Sequence, residues 1–380
     1  SSSVSYRAYG RNLAGAGTIF LKPKQSGTGN YGTLRVVGTD ITGQTPISSK
    51  ITISNLVLGD GAWVTLSSDV NAAGDGEFSL SSGTATIEIP KGNILDFKTI
   101  NIPSGTTLYA GKSDQGNIHK YSLSLEADSA IINGLISADG KGYGLNSGPG
   151  KGEYSESSSS SSGAGYGGLG APGGAYTNPG ITYGSLTKPI DLGSGGGGPS
   201  TWPSSRSTGG GAIFLNIINA LKVDGVISAN GERTTTSGSV GGSSGGSIWI
   251  ITSSISGAGT IKAEGSIGGG GGGRIAVYYD SDSSSVSYRA YGRNLAGAGT
   301  TVISTWFEIA KEYAASGTLI SPPINTNAER SDFIDISWSA NAPIGTSIKF
   351  QLASSAEGIT WSDFMGPFGT DSYFTESSGQ

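Results

Sequence analysis

Along residues 19–128 the chain reads as short apolar stretches rich in Thr, Val and Ile, cut at intervals by Gly, Asp, Asn, Pro and Ser. Runs of four to nine residues with that composition fit half-buried strands, because β-branched side chains pack well on a pleated surface. The pattern predicts strands over 33–37, 50–58, 62–66, 85–89, 99–102, 106–109 and 123–127. Gly59, Asp60 and Gly61, and later Pro103, Ser104 and Gly105, supply turn chemistry between them. A strand every ten to twenty residues suits successive turns of a coiled sheet.

A second pattern repeats five times: a large apolar or aromatic residue, Ala two positions on, Gly two further, a Gly/Ser stretch, then an apolar run. Ile136, Ala138 and Gly140 lead, across a loop over 141–208, to the run at Ala212, Ile213, Phe214 and Leu215. Ile227, Ala229 and Gly231 lead to Ile248–Ile251, and Ile261, Ala263 and Gly265 to Ile275–Tyr278. Tyr6, Ala8 and Gly10 precede Ile19, and Tyr288, Ala290 and Gly292 precede Val302. Side chains two apart share one strand face, so each cassette pairs a large inward residue with a small one. The Gly is then expected to turn a corner with positive φ, and the unbroken apolar run after it to be covered on both faces. Strand, corner and strand in series predict an all-β fold, a Gly-rich parallel β-helix over residues 1–300. An antiparallel sandwich fits less well, since hairpins do not accommodate a connection as long as 141–208.

The segment SSSVSYRAYGRNLAGAGT occurs at 1–18 and again, letter for letter, at 283–300. Such identity marks a chain of near-identical modules and predicts function through extended assembly. Tyr6, Ala8 and Gly10 are expected to hold a place equivalent to Tyr288, Ala290 and Gly292, joining copies head to tail; on that reading, removing residues 1–18 abolishes polymerisation. Beyond 300 the pattern changes. Residues 306–315 have helical spacing or form a linker within 301–316, and strands over 333–338 and 347–352 suggest the beginning of a β-sandwich over 317–380.

Composition supports this class. The chain has 380 residues, 66 of them Gly, with 13% charged residues, one His and no Cys. Without cysteine there are no disulfides or thiolate metal sites, so packing and backbone pairing carry the stability. Net charge −5 with no basic cluster argues against a nucleic-acid partner. Scarcity of Cys, Met and His favours an extracellular or cell-surface setting.

The blocks GAGYGGLGAPGG at 163–174, DLGSGGGG at 191–198, GGGGGGRIAVYYD at 268–280 and AGTIFLK at 16–22 resemble glycine-rich repeats of very large bacterial and archaeal cell-surface proteins. The tail at 316–326 and 338–355 resembles a sandwich module found downstream of such repeats. The resemblance implies a fibrous, structural or adhesive surface protein and brings no catalytic residues or cofactor.

Chemistry-bearing residues are few. His119 has no acid at relay spacing and no second His, so a surface role is expected. Asp75 and Glu77 share a side if extended, a pair of the kind β-helix polysaccharide lyases and hydrolases would use; their flanking glycines favour a solvated turn. Asp139, Asn230 and Glu264 precede the corner Gly in three cassettes and would stack into an oxygen ladder suited to Ca²⁺, or remain variable outward corners. Tyr143, Tyr166, Tyr176, Tyr183 and Trp202, on loop 141–208, are candidates to stack on sugar rings or to fold back as a plug.

Overall fold

The computed structural model describes residues 17–21, 31–38, 43–48, 50–90, 92–111, 123–173, 178–203, 207–233, 239–305 and 348–374. Residues 1–313 form one compact unit and 314–380 a second. Among the described residues there is no helix, and large parallel sheets dominate.

The long sheet contains β1 (Thr18–Leu21), β2 (Thr33–Val37), β5 (Asn55–Gly59), β8 (Glu77–Leu80), β10 (Leu95–Ile102), β12 (Leu123–Ile132), β17 (Ala212–Val223), β20 (Ser247–Ser256), β22 (Arg274–Tyr279) and β25 (Thr300–Thr305), in that order, with β23 (Ser281–Asp282) also on β20. The second sheet runs from β3 (Gln44–Ile47) through β6 (Ala62–Leu66), β9 (Thr84–Glu88), β11 (Thr107–Ala110), β13 (Leu135–Ser137), β18 (Val226–Ser228) and β21 (Thr260–Lys262) to β24 (Ser287–Arg289). The chain therefore visits the two sheets by turns. β2 pairs antiparallel with β1, and from β5 onward each new strand of the long sheet lies parallel to its partner, as Asn55 beside Thr33, Phe78 beside Leu56 and Ile100 beside Phe78. A short third sheet joins β4 (Ile51–Ile53) to β7 (Val70–Ala72) in parallel.

The early circuits have a period of 22 residues, marked by a polar ladder. Asn55 Nδ2 donates to Thr33 Oγ1 at 3.1 Å, and the Glu77 amide donates to Asn55 Oδ1 at 2.8 Å. Inward residues alternate with outward ones along each strand: Leu34, Val36, Leu56, Leu58, Phe78, Ile100 and Ile102 are all buried. They stack in columns into one core shared by both sheets. On the outer face of the second sheet Glu88 is buried and accepts from Gln44 Nε2 (2.8 Å), Trp63 Nε1 (3.0 Å) and Thr65 Oγ1 (2.7 Å). Three consecutive strands are thereby tied through one carboxylate.

Most expected strands are present with small shifts. The stretch 50–58 is two strands, β4 and β5, broken at Ser54, while β3, β7 and β8 escape the hydrophobic pattern. Ile136, Ile227 and Ile261 stack in register, and Ala138, Ala229 and Ala263 are fully buried after them. The corner explanation needs correction. Of the four cassette glycines among the described residues, only Gly140 has positive φ, 62°. At Gly231, Gly265 and Gly292 the requirement is close approach: a β-carbon would overlap carbonyl oxygens of Ser243, Gly270 and Gly297.

In the second unit, Phe350 bridges Phe374 and Leu352 bridges Met365, each as a single-residue antiparallel contact. The strand expected over 347–352 is thus present only as isolated bridges, and the stretches 306–315 and 333–338 lie outside the described residues.

Candidate functional site

The described parts of 141–208, which are 141–173, 178–203 and 207–208, do not form an open loop. With 209–211, 240–246, 268–273 and 290–299 they build a layer of glycine-rich segments packed backbone against backbone. Its carrier is hydrogen bonding in several directions from one segment. Ala164 donates to Gly242 O at 2.8 Å and Gly271 donates to Ala164 O at 2.8 Å; Gly167 donates to Gly272 O at 2.9 Å, and Gly165 to Gly150 O at 2.8 Å. Neighbouring segments repeat the arrangement, with Gly193 on Gly210, Gly210 on Ser244, Ser244 on Ser194 and Gly241 on Gly197. A strand ladder presents its bonds in one plane; here they radiate, so each segment is enclosed. Buried backbone groups must be paired, and this network pairs most of them with one another, buried serine hydroxyls taking others: Gly150 and Gly196 donate to Ser194 Oγ and Ser207 Oγ at 3.0 and 3.1 Å. Sterically the layer admits almost nothing but glycine: a methyl at Gly163, Gly167, Gly196 or Gly272 would overlap a neighbouring carbonyl.

Tyrosines lock the layer to the long sheet. Tyr166 is fully buried, its hydroxyl 2.6 Å from Ser247 Oγ, and Ser247 Oγ donates to Asp191 O. Tyr183 OH donates to Leu192 O and meets Ser194 Oγ at 2.8 Å. The rings of Tyr166 and Tyr183 lie 4.6 Å apart, and the Arg274 guanidinium sits 5.3 Å from the centre of the Tyr166 ring. Arg274 Nε donates to Tyr183 O at 2.9 Å, and Tyr278 OH to Thr187 O at 2.8 Å. Residues 178–191 therefore strap across the outer face of β22, which explains why its Ile275–Tyr278 run is buried on both faces. Burial raises the Tyr166 and Tyr183 hydroxyls well above the ordinary phenol range, the Ser247 and Ser194 hydrogen bonds opposing that shift.

The candidate sugar-stacking residues consequently separate. Tyr166 has no exposed ring face, and Tyr183 is half-buried with its hydroxyl held in the strap. Tyr143 is half-buried, its hydroxyl raised by burial and then by Asp191. Trp202 is half-buried in a turn whose amide donates to Pro199 O at 3.0 Å. Tyr176 lies outside the described residues, as do His119 and Tyr6, Ala8 and Gly10.

The ladder of Asp139, Asn230 and Glu264 exists, with its atoms otherwise engaged. The Asn230 amide donates to Asp139 Oδ1 at 2.6 Å and Asn230 Nδ2 to Asp139 Oδ2 at 3.2 Å; the Glu264 amide donates to Asn230 Oδ1 at 2.8 Å. Arg293 closes it on Glu264 Oε2 at 2.6 Å. The Asp139 and Asn230 oxygens thus act as acceptors between circuits. Tyr291 takes the next position, as expected from its cassette, with its carbonyl accepting from Gly265. Asp75 is exposed in a bend beside Glu77.

The layer's turn tips carry exposed aliphatic side chains: Leu169 at 50%, Ile181 at 60%, Ile267 at 55% and Leu295 at 97%. Leu295 and Asn294 both have positive φ, 69° and 49°. Sequence reasoning missed these tips because a lone Leu or Ile among small and polar residues has no periodicity.

The site and fold define an all-β protein of parallel sheets with an attached glycine layer. Comparison with protein-family models, curated proteins and solved structures gives no match.

Proposed function

We propose that this chain is a structural repeat subunit of an extracellular fibre, sheath or surface layer, its first 300 residues forming a parallel β-helix. The observation that supports this best is the alternation of one chain between two parallel sheets, each pass paired to the one before. A stack of that kind grows by addition of circuits, and the identical segments 1–18 and 283–300 point to modules in series. The glycine layer adds a rigid, largely uncharged body that needs neither cysteine nor metal. Negative-stain electron microscopy and small-angle scattering test the reading: elongated particles that associate into filaments with an axial repeat are expected, whereas a compact, non-associating globule overturns it.

A second reading, an adhesin or carbohydrate-binding surface module, is favoured by the exposed tips at Leu169, Ile181 and Leu295 and by half-buried Trp202. Glycan-array binding that falls on Trp202→Ala supports it; an array without signal removes it.

A further inference from the structure

Two pairs of like charge stand in register on the outer faces of the two large sheets. On the long sheet Asp96 of β10 lies directly beside Glu126 of β12. Their neighbours along the chain, Leu95, Phe97, Leu125 and Ala127, are buried, so both carboxylates point outward. On the second sheet Lys262 of β21 lies directly beside Arg289 of β24. Each stands between side chains that belong to the core or pack on it, Ile261 and Ala263 for the one, Tyr288 and Ala290 for the other.

Neighbouring strands lie about 4.8 Å apart, a distance at which like charges side by side repel. Among the described residues no ion pair answers them: those present join Lys222 to Asp224 and Arg293 to Glu264. Lys98, exposed two residues along β10 from Asp96, is in neither. Glu126 accepts from Asn216 Nδ2 at 3.0 Å and Arg289 Nε donates to Ser287 Oγ at 3.4 Å, both uncharged partners. The Asp96 carboxyl is raised from its ordinary value by burial first, then by Glu126 and Asp128. Asp96, Glu126 and Lys262 are half-buried and Arg289 is exposed, so all four still reach solvent. Uncharged residues at these outward positions would serve the sheets better. A cost that brings no return inside the chain marks a surface shaped for something outside it. The two pairs are opposite in sign and equal in spacing, because each spans two adjacent parallel strands.

We propose that the outer face of the long sheet around Asp96 and Glu126 is an interaction surface for a second copy of this chain, which meets it with Lys262 and Arg289. The copies lie side by side in the same direction, Asp96 against Lys262 and Glu126 against Arg289. The long sheet continues from β10 and β12 through β17 and β20 to β22, and the second sheet in step from β11 and β13 through β18 to β21 and β24. The basic pair therefore sits three circuits further along than the acidic pair, and neighbouring copies are staggered by about 14 Å, three strand spacings. Each copy offers both faces, so the contact is heterologous and builds an open row. The proposal rests on the fibre reading and deepens it by naming the contact that gathers filaments into a sheath or layer.

Charge reversal in the full chain tests this. Asp96→Lys with Glu126→Lys gives a copy with two basic faces, and Lys262→Glu with Arg289→Glu a copy with two acidic ones. Sedimentation velocity and negative-stain microscopy are expected to show side-by-side association weakened about tenfold or more in each alone. An equimolar mixture of the two, and a chain carrying all four changes, should recover it. Association of the parent should fall as salt rises from about 0.01 M to about 1 M, over which the screening length shrinks from about 30 Å to about 3 Å. Lys262→Gln with Arg289→Gln separates binding from folding: relieved of the repulsion, it should keep or raise the parent's Tm while association falls. Reversed chains that associate as the parent does, or a mixture no better than its parts, overturn the face pairing. Parent filaments that stay single leave the fibre reading standing and remove this contact, whereas a parent that is a compact monomer at every concentration and salt removes both.

Discussion

At Gly163 a single methyl group decides whether two chain segments can lie together, because the added carbon would meet the Gly269 carbonyl. Gly163→Ala should destabilise the first unit by about 3 kcal/mol, the upper range of overpacking in a dense interior. Gly92→Ala is the contrast: its φ is 88° but no atom lies within 4 Å of the added carbon, so only backbone strain of about 1–2 kcal/mol is expected. Denaturant unfolding of the two variants measures the difference, and equal losses would mean that the layer is not closely packed. Tyr166 gives a pH signature at the same scale. Burial raises its hydroxyl in the folded state, so the unfolded chain loses its proton first as pH rises. Stability from this group is fully present below about pH 10, the ordinary tyrosine value, and declines above it toward the raised folded value. Thermal unfolding between pH 8 and 11 should show that decline, and Tyr166→Phe should lessen it; an unchanged slope would remove Tyr166 as its source.

Among elements, the carboxylate of Glu88 binds β3, β6 and β9 through Gln44, Trp63 and Thr65. Glu88→Ala removes one acceptor and strands several donors, one of them the Trp63 indole nitrogen. A loss of about 1–2 kcal/mol follows from removing the hydrogen bonds to this buried side chain, whose donors are half-buried at Trp63 and Thr65 and exposed at Gln44. Trp63 fluorescence should report local loosening of the second sheet before global unfolding; a single coincident transition at parental stability would contradict this. The period of 22 residues belongs to this scale as well. Asn55 reaches Thr33 on one side and the Glu77 amide on the other, so the ladder fixes which circuit follows which. Alternation along single strands does not reveal it, because Thr, Asn and Glu at the ladder positions look like ordinary outward residues.

For the whole molecule, the stack of the long sheet implies a body that lengthens by about 4.8 Å for each added strand. On the proposed fibre reading, filaments of the chain should show a meridional reflection near that spacing in fibre diffraction, with the strands across the fibre axis. A fibre in which that reflection lies on the equator would require lateral rather than end-to-end growth.

The amino-acid sequence by itself determined the all-β character, most strand positions, the inward pairing of Ile136 with Ala138 and its equivalents, and the succession of Asp139, Asn230 and Glu264. All of these follow from local rules: side chains alternate every two residues, β-branched residues favour strands, and repeated cassettes fold alike. Only the tertiary structure decided what those groups do. The Asp139 ladder became a chain of acceptors because the next circuit places Asn230 amides against Asp139 and the Glu264 amide against Asn230, with Arg293 on Glu264. Tyr166 became buried because it packs beside Tyr183 against Ser247 of β20 and Arg274 of β22. Glycine offers no side-chain pattern from which such packing could be read, since which carbonyl each glycine approaches is set by segments as much as a hundred residues away. The same holds for direction: β1 pairs antiparallel with β2 and β25 parallel with β22, a sense that alternation of side chains along one strand does not encode, since both kinds of ladder have the same period of two.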